Sequence, residues 1–146
     1  MKTKIFLALI AVFISFNCAT SFAQTKTYKS GSAWDVSFIK VKPNMTVDYL
    51  NSLKTTWKAM QDEAIKQGIV VSYKILDGRA SSPEDWDIML MIEYKNLAAM
   101  DGNDEKWDAI RKSVLGGDDA MKTINASRIN MRDIYGSKTV REVIYK

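Results

Sequence analysis

Residues 86–94 read WDIMLMIEY, and the interpretation of this stretch decides the fold. It is far shorter than the roughly 20 apolar residues that span a bilayer. It is also not the alternating pattern of a strand with one wet face, because Ile88, Met89, Leu90, Met91 and Ile92 are apolar at odd and even positions alike. Both faces of this strand need cover.

Immediately upstream, DGRASSPED (77–85) is a loop of turn residues, and IVVSYKIL (69–76) reads as the preceding strand. In that strand Ile69, Val71, Tyr73 and Ile75 share one side, and Ser72 and Lys74 share the other. The two strands form a hairpin with a long connection. Before them, Val47, Leu50, Leu53, Trp57, Met60 and Ala64 recur at three- and four-residue steps, which predicts an amphipathic helix over 46–67. Thr46 is its expected N-cap, and Gly68 supplies the left-handed residue that ends it. The first strand is 34–41, with Trp34, Val36 and Phe38 on one face and Ser37, Ile39 and Val41 on the other.

Downstream, Asn96 caps a short helix that breaks at Asp101-Gly102-Asn103. A helix carrying Trp107, Ile110 and Val114 follows and stops at Gly116-Gly117, and Asp118 opens another with Met121 and Ile124 inward. RINMRDIY (128–135) is the next strand, and TVREVIY (139–145) extends it past a break at Gly136. The order strand, helix, strand, strand, helices, strand is an α+β pattern. It gives the ferredoxin-like split βαβ arrangement, an antiparallel sheet with helices on one face. Trp57 and Trp107 occupy corresponding helices of the two halves, a correspondence that topology imposes without sequence duplication.

The uncovered face is expected to hold Ile39, Val41, Val70, Met89 and Met91 among Ser37, Ser72, Lys74 and Glu93. Each buried Met or Val contributes about 1.5–3 kcal/mol, so a second copy of the chain is the expected cover and a homodimer the expected state.

Element order and the two-faced strand resemble the dimeric α/β-barrel superfamily over residues 33–146. That superfamily includes cofactor-independent monooxygenases and small stress-response barrels. AWDVSFIKVKP, WDIMLMIEYKNLAAMDG and IYGSKTVREVIYK are also similar to segments of small secreted bacterial proteins of unknown function. The resemblance implies a barrel of two sheets. Members that bind haem, or that isomerise or decarboxylate substrates, commonly use a histidine. This chain has none, so no family site transfers to it.

The first 23 residues, MKTKIFLALIAVFISFNCATSFA, read as a secretory signal peptide: Lys2 and Lys4, an apolar run, then small residues at Ser21 and Ala23. Cleavage after Ala23 leaves 123 of the 146 residues, enough for one domain over 33–146 behind a polar linker at 24–32. Asn17 argues against lipid modification of Cys18. Losing Lys2 and Lys4 lowers the formal charge from +4 to +2, too little to argue for nucleic acid. The expected location is secreted or periplasmic, with no membrane span in the mature chain. The only cysteine leaves with the leader, so no disulfide is needed in an oxidising compartment.

Lacking His and mature Cys, the chain offers no usual zinc site, haem motif, thiolate nucleophile or Ser-His-Asp triad. No metal and no cofactor are expected. Proton transfer would fall to Asp, Glu, Lys or Tyr. The polar strand residues Lys74, Asp87, Glu93, Arg132 and Tyr135 are the candidate ligand-binding set, and catalytic residues are unassigned. Arg128, Asn130 and Arg132 form a candidate carboxylate-binding row if 128–132 is extended. Asp101–Glu105 lacks the spacing of a calcium loop, and Asn44 and Asn125 begin glycosylation sequons. The functional expectation is a homodimer binding a small apolar or aromatic molecule in its barrel. A cofactor-independent, monooxygenase-like enzyme and a structural cell-envelope protein are the alternatives.

Overall fold

The computed structural model describes residues 26–146, so the leader lies outside the described residues. The chain runs β1 (Tyr28–Val41), α1 (Thr46–Leu53), a π-helical turn (Lys54–Lys58), α2 (Ala59–Lys66), β2 (Ser72–Asp77) and β3 (Ile88–Tyr94). A 3₁₀ turn (Leu97–Met100), α3 (Asp104–Leu115), α4 (Asp118–Ile129) and β4 (Arg132–Tyr145) complete it. The four strands form one sheet in the order β2-β3-β1-β4, with every pairing antiparallel. With the helices inserted after β1 and after β3, this is the ferredoxin-like fold that the element order predicts.

The local signals act largely as expected. Asn96 accepts from the Ala99 N–H at 2.9 Å and starts the 3₁₀ turn. Gly116, at φ 91°, closes α3 in the left-handed region. The first long helix spans the expected range, but Met45 stands at its N-cap without a side-chain hydrogen bond. Leu53, Met60 and Ala64 of its expected inward stripe are buried, and the departure is confined to the first turn. Tyr49 and Leu53 are buried, while Val47 is exposed.

Residues 28–32, expected to be linker, belong to β1 and pair with the end of β4. The stretch 128–131 is not strand. α4 runs to Ile129, and β4 begins only at Arg132.

The largest departure concerns which face is which. Registers place Ala33, Asp35, Ser37, Ile39 and Val41 of β1 on the same side as Ile88, Leu90 and Ile92 of β3. Ile39, Val41, Ile88 and Leu90 are buried against Tyr49 and Leu53 of α1. Ile39 and Val41 are therefore core, Ser37 also faces the helices, and Val70 is buried in the turn before β2. The open face instead carries Trp34, Val36 and Phe38 beside Met89, Met91, Ser72, Lys74 and Glu93. Period-two alternation fixes which residues share a face but not which face meets the helices. Here the smaller and more polar set, Asp35 and Ser37, was the inward one.

Candidate functional site

Small residues on the helix side of β1 leave space. A cavity of about 250 Å³ lies between the sheet and helices α1 and α4, lined by Ser37, Tyr49, Trp57, Asn125, Arg128 and Arg132 among others. Two irregularities in the chain build it.

The first is the π turn. Four residues carry an α-helix slightly past one full turn, so Tyr49, Leu53 and Trp57 would drift around its surface. The wider i→i+5 turn at Lys54–Lys58 cancels part of that drift. Trp57 thus lines the same cavity as Tyr49 and Leu53. The second is a bulge in β4. Phe38 pairs with Gly136 and Ile39 with Ile134, leaving Tyr135 as the extra residue. Regular alternation from Gly136 and Lys138 would send Ile134 and Arg132 to the open face. The bulge returns both to the helix face and into the cavity.

Arg128, in the last turn of α4, is only 6% exposed. Its guanidinium donates to Ser52 Oγ at 3.0 Å, to the Ser52 carbonyl at 3.2 Å and to the Thr56 hydroxyl. Arg132 lies over the Tyr49 ring, 5.8 Å from its centroid, and its buried Nε has no hydrogen-bond partner. Neither arginine forms an ion pair among the described residues. Burial pulls the Arg128 guanidinium below its ordinary pKa, with Tyr49 opposing and the like charge of Arg132 adding to the shift. Burial likewise pushes the Tyr49 phenol up, and the two guanidiniums pull it back.

The expected binding set does not assemble as one site. Arg132 alone lines the cavity. Lys74 and Glu93 sit on the opposite, open face, so no small ligand can touch all three. Lys74 Nζ lies 5.3 Å from the Trp34 ring centroid. Hydrogen bonds from Ser32 and Ser72 hold the Glu93 carboxyl below its usual value, with Ser72 Oγ at 2.5 Å. Asp87 clasps the end of β1, accepting from the Val41 N–H at 2.8 Å and from Lys40 Nζ at 3.4 Å. Tyr135 donates to the Pro83 carbonyl at 3.2 Å and lines a separate notch with Phe38 and Trp86.

The row Arg128, Asn130 and Arg132 is not a strand face. Arg128 and Arg132 nevertheless converge, one from a helix end and one from a strand start. Sequence reasoning passed over Tyr49 and Asp35, and it named Arg128 only as a member of that strand row. The four-residue spacing of Tyr49, Leu53 and Trp57 carried a signal for the first. Asp35 had none, because its environment is a tertiary fact. It faces the helices between the two core clusters, and burial pushes its carboxyl up while the Val36 N–H draws it down.

No protein-family model and no curated protein matches the chain. Among solved structures it is similar to a dimeric ferredoxin-like protein from an uncultured marine organism. That match has 13% identity over 81% of this chain and 90% of that one, with a TM-score of 0.48. It is also similar to HapK from Hahella chejuensis, at 12% identity over 75% and 91% of the two chains and a TM-score of 0.46. A dimeric protein of unknown function and ferredoxin-like fold from Bacteroides fragilis matches at 14% identity over 77% and 95%, with a TM-score of 0.41. These are likenesses of fold alone. Among the described residues no helix is long and apolar enough to cross a membrane, and no cluster of His, Cys, Asp and Glu could hold a metal.

Proposed function

We propose that this protein is an exported, homodimeric binding domain that holds a small organic molecule between its helices and its sheet. One observation carries the reading: a cavity of about 250 Å³ that brings Tyr49, Trp57, Arg128 and Arg132 together under a π turn. Pockets of this kind are mostly apolar with a few converging polar groups. This one has Ile39, Leu53, Leu90 and Ile134 for the first and the arginines for the second. Its volume is below the range of drug-sized sites, roughly 300–1,000 Å³, so its occupant is small.

The dimer rests on the open face. Trp34, Phe38, Met89 and Met91 form its centre, with Val36 already buried among them and Lys74, Lys138 and Glu93 around them. An apolar centre inside a rim bearing both signs of charge suits a two-fold contact between copies. Export rests on the leader at 1–23.

Native mass spectrometry of protein isolated from its own cell tests the proposal. The expected species is a dimer of chains beginning at Gln24, each carrying a small-molecule adduct lost on denaturation. Chains of the right mass with no adduct under any gentle condition would remove the binding reading.

A further inference from the structure

The two arginines bring positive charge into the cavity without a matching negative charge. None of its lining residues is Asp or Glu. Asp133, next to Arg132 in sequence, lies 3.9 Å from Lys42 and is largely exposed. Arg128 donates from Nε and Nη2 to neutral oxygens, which leave its charge unmatched. The Arg132 Nε–H is buried with no acceptor. A buried donor left unmatched is costly, and a buried cation more so, unless something supplies the missing acceptor.

From this geometry we infer that the cavity takes an organic carboxylate with a flat apolar body, its oxygens facing Arg132 and Arg128 and its body against Trp57, Leu53 and Leu90. The inference rests on the binding role proposed above and names the class of ligand. A carboxylate supplies two acceptors in one plane, the pattern a guanidinium fork recognises. A free tetrahedral anion such as phosphate fits less well, because its remaining oxygens would be pressed against the buried side chains of Ile39 and Leu90, which also line the cavity.

Trp57 lines the cavity, so its fluorescence can report binding. The full chain is titrated with benzoate, with benzamide as its neutral counterpart of similar shape, and with inorganic phosphate. Benzoate is expected to bind at least about tenfold tighter than benzamide or phosphate. Arg132→Gln should abolish that preference while leaving benzamide affinity within about threefold. Glu105→Gln, at an exposed position of α3 outside the cavity lining, should retain the preference and report on a folded protein. Equal affinity for benzoate and benzamide would overturn the carboxylate inference and leave the binding role standing. Phosphate binding as tightly as benzoate would overturn it too, marking a simple anion hole. No response to any of the three would remove both the inference and the binding role.

Discussion

Asp35 and Asp62 show how the same side chain takes opposite parts in one fold. Asp62 accepts from Lys58 at 2.6 Å and from the Tyr73 hydroxyl at 2.8 Å, and these bonds hold its carboxyl below the ordinary value. Its ionised form favours the folded state, a contribution present above the unfolded carboxylate pKa and lost as pH falls through the folded one. Asp62 is well exposed, so Asp62→Asn should cost less than about 1 kcal/mol at pH 7. Asp35 runs the other way. Burial raises its pKa, so its ionised form opposes folding at neutral pH, and that penalty disappears as acid protonates it. Thermal unfolding should therefore show Asp35→Asn more stable than wild type at pH 7, with the gain shrinking toward pH 4. A variant less stable at pH 7 would mean that the Asp35 charge has a partner and is needed.

At the scale of elements, the site is made by departures from regularity. A π turn amounts to one residue added to an α-helix, so deleting an exposed residue such as Thr55 should restore a continuous helix with both flanks in register. The expected variant keeps its far-UV circular dichroism and folds cooperatively, at a cost of no more than about 2 kcal/mol. It should lose the Trp57 fluorescence response to ligand, because Trp57 and Thr56 rotate away from Arg128. Unchanged binding by this variant would show that the π turn does not shape the cavity. The β4 bulge plays the matching part on the sheet side. It has no reliable mark in the sequence, where Ile134, Tyr135 and Gly136 read only as the approach to a break.

For the whole molecule, the sheet's two faces divide the labour. The helix side encloses the cavity, and the open side presents Trp34, Phe38 and Met91, with Lys74 and Lys138 lying over the Trp34 and Phe38 rings at 5.3 and 5.8 Å. Those lysine stems shelter part of the apolar surface, and their charged ends favour a partner that is itself polar at the rim. Met91 pairs with Val36 near the middle of that face. Met91→Lys adds a charge where the proposed two-fold contact is most apolar, so sedimentation should show at least a tenfold weaker dimer. A variant that remains as dimeric as wild type would place the contact elsewhere.

Element order was legible because it rests on local physics: helical spacing across 46–67, turn residues in 77–85, and glycines at 68 and 116 where a left-handed residue ends a helix. Those signals, with the absence of histidine, determined the ferredoxin-like arrangement and narrowed the chemistry. The sidedness of the sheet was beyond them. Alternation pairs Trp34 with Val36 and Phe38, but whether that set meets helices or a second surface depends on strand register with distant partners. Arg132 enters the cavity because one extra residue in β4 turns the strand over, and it meets Arg128 because a helix end and a strand start fold back together. Such encounters are decided by long-range packing, which periodicity along a single chain does not encode.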